Sequence, residues 1–318
     1  MICETLIHLI LFAITDVFSN LLLSKIIINP HIFTYTRLEF CIFATVEPSA
    51  GISVVIIAYN ESNNIGRCID SVIGIANEVL VVDSFSTDDT LTMARDKGAR
   101  VIQHTFEGHI QQKNWAKDQA SFDWVLSLDA DECLSIELQD QLKLAIQNGL
   151  TYGKIKGYSF SRLNHLGNQS IRGCGWYPDA KLRLWDRRYG RWDGRNPHDK
   201  FLIDKQHSVG SISGDILHYT YADLAAVKRQ ALRFGKIGGQ ALKDELHNHP
   251  GYVIQRRGLV LFLLCKLITS GLVRFIRNYL LKSGWKYGIN GLLICFWQSV
   301  EVSYKYGFAL FGKASNDD

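Results

Sequence analysis

Trp124-Val-Leu-Ser-Leu-Asp129-Ala-Asp131-Glu132 is the stretch on which the reading of this chain turns. Trp124 to Leu128 is mostly apolar and too short for a helical repeat, which predicts a short buried strand. Side chains two apart on an extended segment share a side, so Asp129 and Asp131 are expected together at the strand's carboxyl end. Two carboxylates that close repel, more so when buried, and a positive charge between them relieves the repulsion. Carboxylate oxygens suit a hard divalent cation such as Mg²⁺ or Mn²⁺, which commonly also holds substrate phosphates. The plainer alternative is a solvated turn with an acidic first helical turn.

The upstream segments favour the first reading. Gly51 to Tyr59 (GISVVIIAY) is a continuous apolar run, the mark of a strand buried on both faces. Asn60 to Asn64 supplies polar caps for a helix through about Val72. Glu78 to Val82 is a second buried strand, ending in Asp83. Ser86 to Asp89 reads as a capping box opening a helix to about Lys97, which Gly98 closes. Arg100 to His104 is a third strand, and Gln111 to Ala120 is helical. Strands alternating with helices predict βαβ units and a parallel sheet. Asn60/Glu61, Asp83 and Asp129/Asp131 all fall at carboxyl ends of strands, where open α/β sheets bind ligands.

Composition sets the outer bounds. The 318 residues are 47% hydrophobic and 21% charged, enough to bury one large α/β core with additions, or two domains. A formal charge of +4 does not suggest a nucleic-acid binder, although local basic clusters suit an anionic surface. The seven cysteines form no Cys-x-x-Cys pair, which argues against a zinc site or a disulfide framework and fits a reducing cytosol. Residues 1–50 form an apolar extension in which Asp16, Asn20 and Lys25 interrupt Leu6 to Ile28. No basic segment precedes it, so it is a poor signal peptide; the open readings are a marginal membrane anchor and a start-site artefact ahead of a core beginning near Ile52.

AYNE at 58–61, VVDSFSTDDT at 81–90, QKN at 112–114 and LDADE at 128–132 together resemble the inverting family 2 glycosyltransferases with the GT-A fold. The resemblance implies a Rossmann-like, mostly parallel sheet with flanking helices and a nucleotide-diphosphate-sugar donor. It implies that Tyr59 and Glu61 line the nucleoside and that Asp83 contacts the uracil. Asp129 and Asp131 would bracket the ribose and the metal-bound diphosphate, with Lys113 and Asn114 beneath the nucleotide. The sequence departs from the family's pattern at Phe85 and Asp89, where glycine is common, and glycine usually marks positive φ or close approach.

Arg172 to Lys200 is rich in Trp, Arg, Gly and Pro, and resembles the acceptor half of the lipopolysaccharide-core β-glucosyltransferase branch. Aromatic faces such as Trp176 stack on sugar rings, and Lys181 and Arg183 suit diphosphate or anionic groups of the acceptor. An inverting transfer needs one carboxylate to take the acceptor hydroxyl's proton. Asp199 is the candidate, with His198 orienting the acceptor or tuning it, and Asp179 is the second choice. His218 reads as structural. Gln230-Ala-Leu-Arg233-Phe234 is similar to the Gln-x-x-Arg-Trp of processive synthases, with Phe for Trp.

Beyond residue 220 the chain reads as helical. Interrupted apolar runs edged by Lys/Arg and Trp/Tyr suggest helices lying in a membrane interface. The expected organisation is the 1–50 extension, a 51–220 GT-A domain and a 221–318 membrane-associating tail. The expected activity is metal-dependent transfer of a hexose, glucose by the resemblance, from a UDP-sugar. The expected acceptor is a lipid-linked or lipopolysaccharide-core saccharide at the cytoplasmic face of a bacterial inner membrane. Two other function classes compete with this one. A nucleotidyltransferase favours a Gly-rich loop where AYNESNN stands, and a non-catalytic saccharide binder has no need of the Asp129/Asp131 pair.

Overall fold

Apolar runs that must be covered on both faces build the first half of the sheet. In this computed structural model, β1 (Ile52–Ala58), β2 (Glu78–Asp83), β3 (Arg100–Gln103) and β4 (Trp124–Asp129) lie parallel in the order β3-β2-β1-β4. The structure describes residues 51–150, 154–195, 198–247 and 256–312, apart from the side chains of residues 195, 198 and 256–259. The expectations for residues 1–50 therefore lie outside the described residues.

Three helices make the crossovers: α1 (Ile65–Asp70), α2 (Thr90–Asp96) and α3 (His109–Asp118). The chain steps outward from β1 to β3, then returns to place β4 on the other side of β1. The β1/β4 boundary is thus the switch point at which an open α/β sheet leaves a crevice. Ile57 is paired with Asp129 there, and Ala58 with Asp83 on the other side.

The rest of the sheet is mixed, which strand periodicity alone did not predict. β5 (Glu132–Leu134) leads into α4 (Ile136–Gln147), whose N-cap Ser135 accepts from Leu138 N at 3.2 Å. β6 (Ile155–Leu166), β7 (Gln169–Ser170) and β8 (Asp179–Asp186) follow, then the hairpin β9 (Gly190–Arg195) and β10 (His198–Ile203), and the long β11 (Ser208–Tyr221). β8 runs antiparallel between β4 and β6, β11 is parallel to β6, and β5 is antiparallel to β11. Short returns such as the one joining β6 to β7 permit only antiparallel neighbours, whereas the first half uses helical crossovers. The result is the expected α/β architecture, a Rossmann-like sheet with flanking helices.

One core lies under α1 and α4, centred on Ile56, Leu126, Leu138 and Phe160. A second lies under α3 and the β9–β10 hairpin, where Trp185 stacks on Phe201 with ring centroids 3.9 Å apart. A third joins Leu166, Ile171 and Cys174 to Val227, Ile294 and Cys295 of the helical tail. That tail is α5 (Leu224–His247), α6 (Arg256–Ile276) and α7 (Gly288–Phe311), and it belongs to the same compact unit, Glu47–Asp318, as the sheet. The described cysteines are free.

Two local expectations are corrected. The helix after β1 ends at Asp70 and gives way to turns rather than running to Val72. The Ser86–Asp89 capping box does not form, because Ser86 is taken by Asp83, which accepts its N–H at 2.9 Å as well as its hydroxyl. The Ser86 hydroxyl in turn accepts from Asn60 N at 2.8 Å, and Thr90 Oγ1 accepts from Glu61 N at 2.8 Å. These bonds tie the loop after β1 to the loop after β2.

Phe85 adopts φ 62° in the second loop, the left-handed conformation that the family's glycine would adopt without strain. A bulky side chain there costs roughly 1–2 kcal/mol, and half of that returns to the unfolded chain as glycine's freedom. Phe85→Gly is therefore expected to leave stability unchanged or raise it by up to about 1 kcal/mol, while Phe85→Val lowers it, as read by urea unfolding.

Candidate active site

The switch-point crevice opens into a cavity of about 900 Å³. Ala58, Tyr59 and Glu61 enter it from the end of β1, Ser84 from the end of β2, and Lys113 from α3. Asp129 and Asp131 enter from the end of β4, Arg162 and Asn164 from β6, and Lys181 and Arg183 from β8. Asp199, His218 and Tyr221 come from β10 and β11, and Gln230 and Phe234 from α5.

The floor is a chain of charges that alternate in sign. Lys113 Nζ lies 2.9 Å from Asp199 Oδ2 and 3.0 Å from Asp129 Oδ1. Its hydrogen bond goes to Asp199; towards Asp129 Oδ1 the ammonium offers charge without alignment. Arg183 Nη2 donates to Asp129 Oδ2 at 2.9 Å and to Glu132 Oε1 at 2.7 Å. Arg162 Nη1 reaches Glu132 Oε1 at 3.5 Å, and Arg162 Nη2 donates to Asp179 Oδ2 at 2.7 Å. Lys181 Nζ ends the series, 3.1 Å from Asp179 Oδ1. Glu132 is fully buried, and its other oxygen accepts from Asp129 N at 3.0 Å, which fixes the turn between the two aspartates.

These contacts revise the first inference from the sequence. The charge beside Asp129 is supplied by Lys113 and Arg183, so that carboxylate needs no metal to offset it. Burial opposes its ionisation, yet the two cations override burial and hold Asp129 well below the usual carboxylate range. Asp179 is likewise lowered against burial, by Arg162 and Lys181. It is absent from the cavity lining, which includes its neighbours Ala180 and Lys181.

Asp131 stands apart from the chain. Its only ion-pair partner among the described residues is His218, with Nε2 3.2 Å from Oδ2. His218 Nδ1 is 2.6 Å from Asn164 Oδ1, an amide oxygen that accepts, so Nδ1 carries the proton. In a neutral ring Nε2 is then a lone pair facing a carboxylate. With Nε2 unprotonated the two atoms would serve as donors to a cation, and with it protonated they pair directly. Their 3.2 Å separation is close to the ~3 Å between adjacent ligands of an octahedral ion with bonds of about 2.1 Å. Among the described residues no group of three or more His, Cys, Asp and Glu could hold a metal. The remaining positions would fall to water and ligand oxygens, the usual habit of Mg²⁺.

Glu61 lies across the loop from this pair. Burial raises its pKa, as do the nearby Asp131, Asp88 and Asp129 charges, against a hydrogen bond donated by Asn64 Nδ2 at 2.8 Å. Glu61 and Asp131 are thus carboxylates of the cavity without a Lys or Arg within 4 Å among the described residues.

Three site residues named from the sequence serve the frame. Asp83 is fully buried and absent from the cavity lining; its carboxylate is spent on Ser86 and on Gln103 Nε2 at 3.2 Å. Asn114 clamps β9, donating Nδ2 to Trp192 O and accepting from Trp192 N, each at 2.9 Å. Arg183 is buried, with Nε and Nη1 unpartnered among the described residues. Tyr59 is 59% exposed at the rim. Trp176 stacks on Tyr221 with centroids 4.9 Å apart, giving the cavity an aromatic wall. The His198 side chain lies outside the described residues.

Glu132, Arg162 and Asn164 carried no role in the sequence reading, and His218, read there as structural, lines the cavity. The acidic residue closing LDADE was a visible signal for Glu132; the other three sit in ordinary strand patterns and are functional only by their neighbours.

Residues 53–203 match the family model described as glycosyl transferase family 2. An uncharacterized glycosyltransferase of Rickettsia conorii is 49% identical over 92 residues, 29% of this chain and 33% of that protein. The chain thus spans only about a third of the length of that relative. The lipopolysaccharide core biosynthesis glycosyltransferase LpsC of Rhizobium meliloti is 26% identical over 258 residues, 77% of this chain and 87% of the relative. A solved mannosyltransferase from Pyrobaculum calidifontis, in complex with GDP-Man and Mn²⁺, is 14% identical with a TM-score of 0.47, over 82% of this chain and 87% of that one.

Two outcomes follow from the electrostatics. Removing Arg183 leaves Glu132 and Asp129 buried and underpaired, so Arg183→Gln is expected to cost about 3–5 kcal/mol in urea unfolding. Glu61 works the other way. Its folded pKa is raised, so the fold is penalised once pH rises above the unfolded value of about 4.3. Glu61→Gln should raise the thermal midpoint at pH 7, and the gain should shrink as pH falls through the unfolded value and vanish near about pH 3, where wild type is protonated in both states.

Proposed function

With residues 53–203 a family 2 glycosyl transferase domain, we propose that the protein transfers a sugar, with inversion, from a UDP-sugar to a saccharide hydroxyl. The observation that carries the proposal is the division of the cavity's carboxylates. Asp129 and Asp199 are tied to Lys113, while Asp131 has no Lys or Arg beside it and faces the Nε2 of His218. Such a cavity has one place for a cation and, at Asp199, a separate place for a base.

Mg²⁺ or Mn²⁺ would be held by Asp131 and His218, and when bound it offsets the charge of a diphosphate leaving group. Tyr59 offers its exposed ring to the base of the nucleotide, and Glu61 accepts from a ribose hydroxyl. Asp83 and Asn114 act through other groups, by holding the loop after β2 and the strand β9. Lys113 positions both Asp129 and Asp199. Asp199 takes the proton of the acceptor hydroxyl as its oxygen bonds to the anomeric carbon, and the bond from that carbon to the diphosphate breaks on the opposite side. His198 adjoins this base in sequence. Trp176 and Tyr221, with Phe234 and Gln230, form the wall on which an acceptor ring stacks. Lys181 and Arg183 add positive charge on that side, and Asp179 holds Lys181 in place.

In this reading residues 51–220 carry the chemistry and 221–318 supply the tail. A lipopolysaccharide-core or lipid-linked saccharide at the cytoplasmic face of a bacterial inner membrane is the proposed acceptor, supported by the likeness to LpsC. Glucose as the transferred sugar rests on the resemblance of Arg172 to Lys200.

Calorimetry with UDP tests the donor side. Binding should tighten when Mn²⁺ is added, and Asp131→Asn and His218→Ala should each remove that gain while keeping the fold. UDP affinity indifferent to Mn²⁺ in the wild type would sink the assignment. Asp199→Asn should keep UDP binding and lower transfer by roughly 10²–10⁴-fold; full activity in that variant would remove Asp199 as the base.

A further inference from the structure

The helix α6 has a face that the fold leaves uncovered. Leu261 is 65% exposed, Ile268 73% and Leu272 60%, and in the turns that follow Leu281 is 77% exposed. At 3.6 residues per turn, Leu261, Cys265, Ile268, Leu272 and Ile276 fall on one stripe. Leu263 and Gly271 point the other way and are buried, Gly271 against Ser299 and Ser303 of α7. The helix is therefore docked by one side, and its apolar stripe faces solvent.

The polar side of the helix is basic: at 100° per residue Lys266, Arg277 and Arg274 lie about 120–160° round the helix from the centre of the stripe, and Arg274 also acts on Glu301 of α7. Lys266, Thr269, Ser270, Val273, Arg274 and Arg277 line a cavity of about 230 Å³. None of these three cations is within 4 Å of a carboxylate among the described residues. Lys266 rests near the Phe262 ring, 5.5 Å from its centroid, and Arg277 Nε donates to Asn278 Oδ1 at 3.2 Å. The imbalance runs through the whole tail. Residues 256–312 hold eight Lys and Arg against one acidic residue, Glu301.

No helix among the described residues is long and apolar enough to cross a membrane. An amphipathic helix with an exposed apolar stripe, a cationic polar side and no capacity to span has the composition of one that lies in a bilayer interface. We infer that α6 and the turns to Trp285 are a docking face for an anionic bilayer. The stripe from Leu261 to Leu281 enters the headgroup boundary, and the Lys266/Arg274/Arg277 cavity takes a lipid phosphate. The excess positive charge selects this occupant over a neutral apolar partner, because each Lys or Arg near an anionic leaflet adds roughly 1 kcal/mol of attraction. The inference rests on the tail alone and holds whether or not the transfer reading does.

Co-sedimentation of the full chain with vesicles tests it. Binding is expected to phosphatidylcholine vesicles containing phosphatidylglycerol, to be at least about tenfold weaker to pure phosphatidylcholine, and to weaken as salt rises from about 50 to about 500 mM. The exposed double variant Lys266→Gln/Arg277→Gln should lose about tenfold or more on the anionic vesicles, and so should Leu272→Ser/Leu281→Ser. Lys205→Gln, in the exposed β10–β11 turn, should bind as wild type. Circular dichroism of each variant should match wild type. Equal binding to both vesicle types, or variants that sediment like wild type, overturns the inference. So does light scattering that shows a dimer in wild type and a monomer in Leu272→Ser/Leu281→Ser, which would make a second copy the occupant.

Discussion

The alternating series Asp199–Lys113–Asp129–Arg183–Glu132–Arg162–Asp179–Lys181 is the interaction on which the cavity depends. It crosses six elements: β10, α3, β4, β5, β8 and β6. None of its inner charges could be buried alone, since an unpaired ion in the interior costs several kcal/mol. Buried pairs contribute little net stability compared with apolar packing, but they penalise every arrangement that separates them. Their effect here is to fix the relative placement of strands that the apolar cores beneath would hold less specifically. The cavity is therefore set before any ligand arrives, as electrostatic preorganisation requires.

That neutrality gives the remaining carboxylates their meaning. If Asp129 were unpaired, a cation drawn to the cavity would have two aspartates to choose from. With Asp129 satisfied by Lys113 and Arg183, the unmet negative charge is concentrated at Asp131 and Glu61. His218 sharpens the choice, because Asn164 holds its Nδ1 and leaves Nε2, the other ligating nitrogen of the ring, beside Asp131. The raised pKa of Glu61 records the same imbalance from the other side: burial and the neighbouring aspartates make its charge costly. A protein that keeps such a residue accepts instability that a positively charged ligand would relieve.

The parallel half of the sheet was legible because strands buried on both faces must be continuously apolar, as Gly51 to Tyr59 and Glu78 to Val82 are. That ligands would bind at the carboxyl edge of the sheet followed from strand ends that carry Asn60, Asp83 and Asp129, but the strand order that makes the switch point did not. Ionic partnership was not legible. Asp129 and Asp131 look equivalent in sequence, and their roles are separated by Lys113 and by Arg183, the latter fifty-four residues on. His218 reads as an ordinary strand residue until β11 lies beside β6 and brings Asn164 to it. Local competition explains the smaller misses. Ser86 had the spacing of a cap, but its hydroxyl donates to Asp83 and accepts from Asn60 N rather than from the first N–H groups of the helix.

Phe85 shows how a resemblance and a structure inform each other. The family's common glycine suggested a left-handed backbone, and the chain takes that conformation at φ 62° with a phenylalanine in place. The loop keeps its shape because bonds from Asn60, Glu61 and Ser86 over-determine it. Backbone strain of this kind persists only where the surroundings hold it, and here they are the two loops that form the rim of the switch-point crevice. The side chain, 53% exposed, stands beside that rim rather than within the lining of the cavity. The substitution thus changes what the rim presents to solvent while leaving the position of Asp83 and the opening between β1 and β4 intact.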